Sequence, residues 1–420
     1  MSREHVHLMD FQQDALDQVA DADHVAFYYD MGLGKTFIGS EKMKQIGNSK
    51  NLLICQKSKI SDWLEHFREY YDWPVLDLTK KAGLTEYMEA DEAVGVINYD
   101  LVFRRKELKD LSGFCLMLDE SSLICNEQAK RSRFILRMHP AQVILLSGTP
   151  TAGKYEKLWS QCKLLGWGID KLIFWNSYIR WEWRDYGGFM HQEVVGYKNV
   201  EHLKKRLREH GAVFKKTSEV MTLPEQIEQK IFIDRTPEYK KFMKSGYLKL
   251  KDGTELIGDN QLTKILYARQ LCAHMNPAKI QAFRELLEST EDRLIVFYNW
   301  TAEREALEEI VRGFNRPISV VCGGCKDLRA YENSGNSITF IQYQAGAYGL
   351  NLQKANKIIY FSLPLGKGSC DMWEQSKKRI HRIGQKSSCF YYYLLVRDSI
   401  ETRNLAALKE GRDYNDRLFE

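Results

Sequence analysis

The chain has 420 residues, of which 44% are hydrophobic and 28% charged, with a formal net charge of +5. That length suits two domains of about 150–200 residues, and the composition excludes a disordered polymer. The mild positive balance permits nucleic acid as a partner without proving it, and no apolar run approaches the roughly 18 residues of a membrane span. The opening stretch, MSREHVHLMDFQQ, has no apolar signal-peptide core, so a cytoplasmic setting is expected. Nine cysteines without a framework of spacings fit reduced thiols. Cys322 and Cys325 form a CxxC in VCGGCK, but Cys370 and Cys389 are not the second pair a zinc ribbon needs. They read as loop cysteines.

In chain order, a first block alternates buried strands with helices. The strands are HVAFYY (24–29), NLLIC (51–55), VGVINY (94–99), FCLML (114–118) and QVILL (142–146), with helices predicted over 8–20, 36–46 and 58–70. Such alternation predicts an α/β fold with a parallel, doubly wound sheet. YYDMGLGKT (28–36) follows the first strand and opens a helix, the context a phosphate-binding loop requires. Gly32 and Gly34 would let the backbone, with Leu33 between them, turn its N–H groups toward phosphate. Lys35 would reach the β- and γ-phosphates and Thr36 would bind Mg²⁺. The fuller GxxxxGK[ST] pattern wants glycine where Tyr29 stands, so a plain glycine-rich turn is the bland alternative. FCLMLDE ends a strand with Asp119, a second Mg²⁺ ligand, and Glu120, which would orient and deprotonate the attacking water.

From about 153 to 285 the pattern turns largely helical. A second block then repeats the strands: RLIVFYN (293–299), ISVVC (318–322), SITFIQY (337–343), KIIYFS (357–362) and CFYYYLLV (389–396). It has no GKT-type loop of its own. Near its end, WEQSKKRIHRIGQK (373–386) is either a solvated basic helix face or an anion grip. If helical, it puts Gln375, Arg379 and Arg382 on one stripe. Two similar lobes sharing one phosphate loop would place the nucleotide in the cleft between them, with this arginine stripe completing the site.

These motifs and their order resemble the Swi/Snf family of DNA-dependent ATPases in helicase superfamily two, over nearly the whole chain. Gln12 in LMDFQQDAL looks like the family's adenine-reading glutamine. DMGLGKT (30–36) is close to its phosphate loop, which also lacks the first glycine. LLICQKSKISDWLEHF (52–67), LDESS (118–122), LLSGTP (145–150), AVFKKTSEVMTLP (212–224) and YQAGAYGLNL (343–352) follow in the family's order. EQSKKRIHRIGQ (374–385) nearly matches QAxxRxxRxGQ, which implies arginine fingers at Arg379 and Arg382. The resemblance further implies nucleotide contacts at Gly349 and Gln385, and DNA-backbone contacts at Lys57, Ser58, Lys59 and Gln344. Ser121 and Ser122 depart from the family's Ala and His. Gln342, Tyr343 and Gln344 depart from Ser-Thr-Arg, Ala347 replaces a glycine, and LPLGKG (363–368) stands for the usual WNP.

The resemblance implies two tandem RecA-like parallel-sheet lobes with helical protrusions between them. The first would span 1–222, with a protrusion at about 153–215. The second would span 223–420, opening with a helical bridge at about 223–285. ATP and Mg²⁺ are the expected cofactors and double-stranded DNA the expected partner of a monomer, a bare motor of the compact kind seen in phage and bacteria. Any replication or repair partner stays unassigned. Translocation on duplex DNA without strand separation is the favoured activity. A nucleotide-switched binding factor with slow hydrolysis, or a strand-separating or RNA helicase, are the alternatives. Five tryptophans (Trp159, Trp167, Trp175, Trp181 and Trp183) fall in one stretch and are expected to pack in the core rather than stack on bases. The basic runs at 104–109, 130–137 and 204–208 read as solvated helix faces.

Overall fold

The computed structural model describes residues 6–30, 32–148, 150–151, 154–185, 190–220, 222–346, 350–366 and 368–410. The chain divides into two compact units, Met1–Thr222 and Leu223–Glu420. Strands of the first unit are β1 (His24–Tyr29), β2 (Lys50–Cys55), β3 (Val75–Asp77), β4 (Ala93–Asn98), β5 (Cys115–Asp119), β6 (Gln142–Ser147), β7 (Ile179–Asp185), β8 (Met190–Tyr197) and β9 (Ala212–Lys215). Seven of them form one sheet in the order β3-β4-β2-β5-β6-β1-β9, every neighbouring pair parallel. The central strands are apolar along their whole length because helices cover both faces, which is why their sequences read as unbroken runs. The helix Lys35–Ile46 crosses the sheet so closely that a Cβ on Gly39 would sit 2.8 Å from Leu146 Cδ1 and 3.0 Å from Met117 Sδ. Glycine there lets the helix that begins at Lys35 lie directly on β5 and β6.

The second unit holds β10 (Gln226–Ile233), β11 (Tyr247–Lys249), β12 (Glu255–Ile257), β13 (Leu294–Tyr298), β14 (Ile318–Cys322), β15 (Cys325–Asp327), β16 (Ile338–Gln342), β17 (Lys357–Tyr360) and β18 (Cys389–Val396). Its sheet runs β10-β18-β17-β13-β16-β14-β15, parallel except for the β14–β15 hairpin. Cys322 and Cys325 face each other in that hairpin, and all nine cysteines are free thiols.

The stretch expected to be largely helical is mixed. β7 and β8 pair as an antiparallel hairpin, β9 extends the first sheet, β10 forms an edge of the second, and β11 pairs with β12. Alternation in RWEWRD and in QIEQKIFI has a period of two, which suits a strand with one exposed face. Glu228 and Lys230 on β10 place charge along that edge, which disfavours pairing with another chain. The tryptophans divide. Trp167 is buried, Trp159 and Trp175 pack against the core, and Trp181 is half-buried, but Trp183 is 58% exposed near the end of β7. Core packing was therefore the wrong expectation for Trp183, which lies in the exposed later half of β7, in a two-stranded sheet separate from the main one.

One buried ion pair ties the second unit together. Lys279 in the helix Pro277–Glu288 bonds Glu401 in the helix Ile400–Lys409, with side chains 0% and 7% exposed. The other Glu401 oxygen accepts the Val396 amide at 3.0 Å, at the end of β18. Replacing Glu401 by leucine strands a buried ammonium and is expected to cost about 3–5 kcal/mol. The double substitution Lys279→Met with Glu401→Leu should recover most of it. Denaturant midpoints of the three proteins check this. Equal losses in the single and double variants would mean that the stranded charge is not the cause.

Candidate active site

β1 delivers the phosphate loop at its carboxyl end, the end where open α/β sheets bind ligands. Gly32 and Gly34 take left-handed φ values of +88° and +72°, and Gly34 is the N-cap of the helix Lys35–Ile46. A side chain at 34 would also collide with Gln12, its Cβ only 2.3 Å from Nε2. Two left-handed glycines directly before a helix start are the backbone setting that suits an anionic phosphate. Tyr29, which stands where the fuller motif has glycine, is fully buried and points into the fold. Leu33 is buried beneath the loop. Lys35 donates to the Tyr29 and Asp30 carbonyls at 2.9 and 3.2 Å, so its ammonium lies along the loop. Thr36, next on the helix, is half-buried.

Gln12 reaches the loop from the helix Asp10–Gln18. Its Nε2 donates to the Leu33 carbonyl at 3.0 Å, while its Oε1 accepts the Met9 amide at 2.9 Å. The amide expected to read a base therefore also braces the loop. Asp30 is anchored on the other side. Its amide donates to the Lys215 carbonyl at 3.0 Å, and its carboxylate accepts the Thr217 amide at 3.0 Å. Sequence reading did not single out this tie between the loop and the chain after β9.

β5 ends in the same sheet with Asp119 and Glu120. Glu120 adopts φ +56°, ψ +59°, a left-handed conformation that costs a residue with a Cβ about 1 kcal/mol. The turn is held by its surroundings. Tyr99 donates its hydroxyl to the Asp119 carbonyl at 2.9 Å, and the Leu123 amide bonds the Glu120 carbonyl at 2.9 Å. Trp63 Nε1 donates to Asp119 Oδ2 at 2.9 Å, which fixes the carboxylate's direction. Trp63 is set in turn by an aromatic cluster on the helix Ile60–Tyr70. There His66 meets Trp63 edge-on at 5.6 Å and bonds the Ser40 hydroxyl at 3.0 Å. Burial pushes the His66 pKa down to about 4, so it stays neutral at pH 7. The hydroxyl of Thr36 and the carboxylate of Asp119 are hard oxygen donors. Two such ligands, with phosphate and water completing the shell, fit Mg²⁺.

The basic segment of the second unit departs from the expected stripe. Its helix spans Ser369–Lys377 and stops before Arg379 and Arg382. Beyond the helix end the Arg379 carbonyl accepts the Leu352 amide at 3.1 Å. The two arginines still converge, because Nη1 of Arg379 and of Arg382 bond the Leu350 carbonyl at 3.2 and 3.4 Å. Arg379 is buried and also bonds Gln375 Oε1, whereas Arg382 is half-buried and bonds Asn351 Oδ1. Burial lowers the Arg382 pKa from its ordinary value, yet a guanidinium stays charged at any working pH. Gln385 donates its amide to the Ala355 carbonyl at 2.8 Å and accepts the Lys386 and Ser387 amides, so it knits its own loop together. Gly349 lies outside the described residues.

Of the residues expected on DNA, Lys57 and Ser58 are exposed on a short 3₁₀ turn beyond β2, and Lys59 pairs with Asp62 at 2.9 Å. Gln344 is exposed in the short helix Tyr343–Gly346.

A model of the SNF2-related domain matches residues 26–277, more than half of the chain. Among curated proteins, the chain is 22% identical over 416 residues to the SWI/SNF-related matrix-associated actin-dependent regulator of chromatin subfamily A-like protein 1 of Drosophila melanogaster, covering 94% of this chain and 53% of that one. It is 24% identical over 429 residues to the ISWI chromatin-remodeling complex ATPase ISW2 of Saccharomyces cerevisiae, covering 89% and 37%. The chain thus spans about half the length, or less, of these relatives. Among solved structures it is similar to the Sulfolobus solfataricus SWI2/SNF2 ATPase core in complex with dsDNA, at 18% identity and a TM-score of 0.47, covering 99% and 92% of the two chains.

Proposed function

The chain belongs to the family of SNF2-related domains, and from that premise we propose that it is a DNA-stimulated ATPase that moves along duplex DNA without separating its strands. The observation that supports the ATPase reading is that one parallel sheet carries, at the same carboxyl edge and one strand apart, a glycine-turned loop at the end of β1 and the Asp119–Glu120 turn at the end of β5. In this reading, Lys35 exchanges its two carbonyl partners for phosphate oxygens, and the loop N–H groups hold the rest of the triphosphate. Thr36 and Asp119 would hold Mg²⁺, with Trp63 keeping one Asp119 oxygen in place. Bound there, the ion would neutralise charge on the β- and γ-phosphate oxygens. Glu120 orients the attacking water and takes its proton. Arg379 and Arg382 supply the cations that the developing charge on the γ-phosphoryl oxygens requires. A reducing, cytoplasmic setting suits nine free thiols.

DNA enters through its backbone. Exposed Lys57 and Ser58 in the first unit and Gln344 in the second are the proposed phosphate contacts. Because these contacts read phosphate and not base edges, binding should be nearly blind to sequence. It should weaken with salt at a log–log slope of about −0.9 per phosphate neutralised. Displacement of a triplex-forming third strand tests movement directly. We expect displacement that requires ATP and is lost in Glu120→Gln, with no unwinding of a forked duplex. Unwinding of the fork under the same conditions would replace translocation by helicase action.

A further inference from the structure

Gln161 lies in the helix Trp159–Leu164 and is fully buried, although its neighbours Leu158, Cys162, Leu164 and Leu165 make the inward face of this segment apolar. Its amide joins three parts of the first unit. Oε1 accepts the Ser121 hydroxyl at 2.8 Å and the Tyr28 hydroxyl at 3.1 Å. Nε2 donates to the Pro150 carbonyl at 2.8 Å and to Cys125 Sγ, at the end of the turn that begins at Ser121, at 3.9 Å. Ser121, itself fully buried, immediately follows Glu120 and stands where the family pattern has alanine, which has no hydroxyl to offer. Tyr28 is in β1, two residues before Asp30 of the phosphate loop, and Pro150 ends the SGTP segment that follows β6. A buried amide with both ends bonded is a rigid connector, and its four partners belong to three separate segments around the candidate site.

We propose that Gln161 is a positioning residue for hydrolysis. It locks the turn carrying Glu120 to the Pro150 segment, so that the placement of the general base follows any movement of that segment. Ser121 is the near end of this relay and Pro150 the far end. The proposal rests on the ATPase reading above and adds a residue that touches neither nucleotide nor water.

The test compares Gln161→Leu, Gln161→Glu and Ser121→Ala, measuring kcat per nucleotide-binding site at saturating duplex DNA, KM for ATP and the thermal midpoint. Gln161→Leu keeps the volume but removes the bonds. It is expected to lower kcat by about 10- to 100-fold, as small misplacements of a catalytic group do, while KM stays within about twofold. Ser121→Ala should show a smaller loss, because the bond to Pro150 survives. Gln161→Glu supplies a pH readout. Its neutral acid can donate to the Pro150 carbonyl, whereas its carboxylate cannot, and burial favours the neutral form. Its kcat relative to the unmodified protein should therefore rise as the pH is lowered from 8 to 6. A relative kcat independent of pH, or a normal per-site kcat in Gln161→Leu, would overturn the relay. Should Gln161→Leu fail to fold, the Gln161→Glu profile and Ser121→Ala decide the matter. Absence of DNA-stimulated turnover in the unmodified protein would instead defeat the functional reading itself.

Discussion

Arg382→Ala is expected to lower kcat by about 10³–10⁵-fold, or about 4–7 kcal/mol of barrier, while ATP affinity stays close to that of the unmodified protein. Arg382 is the cleaner of the two arginines to test. It is half-buried, and among the described residues its side chain bonds the Leu350 carbonyl and the Asn351 side chain. Arg379 is buried against Leu350 and Gln375, so Arg379→Ala should also lower the thermal midpoint. The neighbouring lysines are internal controls. Lys377 pairs with Glu374 at 2.8 Å and lies 3.6 Å from the Trp373 ring centroid, and Lys378 follows the helix end. Their alanine variants should keep kcat within a few-fold of normal. Equal, mild losses in all four variants would remove Arg379 and Arg382 from this role.

The second large effect separates holding phosphate from activating water. Glu120→Gln keeps the size and the left-handed turn but removes the base. It should bind ATP normally and lose about 10²–10⁴ in kcat. Lys35→Ala removes the ammonium from the loop, so ATP binding and turnover should fail together. Nucleotide affinity measured beside single-turnover hydrolysis distinguishes the two. Near-normal turnover in Glu120→Gln would remove Glu120 from its role.

The parts of this protein that were legible in its sequence share a physical cause. Strands of a covered sheet read as short, nearly unbroken apolar runs, so β1, β14 and β18 could be bounded to the residue, although β14 alternates buried with half-buried positions. A phosphate loop needs glycines where φ is positive, and Gly32 and Gly34 announce it locally. The segments that were misread obey longer-range forces. The helix at 369–377 stops short of the arginines, and the Arg379 carbonyl beyond its end accepts the Leu352 amide, a contact between distant stretches that no helical periodicity reveals. β10 alternates apolar and polar residues as an edge strand does, but which sheet it joins is settled by β18, its parallel partner over all eight positions. Trp63 and Asp119 lie 56 residues apart, and only the packing of the helix Ile60–Tyr70 brings the indole to the carboxylate. Gln161 did leave a trace, as an amide set among Leu158, Cys162, Leu164 and Leu165, but its partners belong to the fold.

The most direct test of the central claim is the steady-state ATPase rate of the unmodified chain against equal concentrations of duplex DNA, single-stranded DNA, forked DNA and RNA at one fixed salt. We predict strong stimulation by duplex DNA whatever its sequence, weaker stimulation by single strands, and none beyond background with RNA. A rate that rises with RNA and stays flat with duplex DNA would contradict the account.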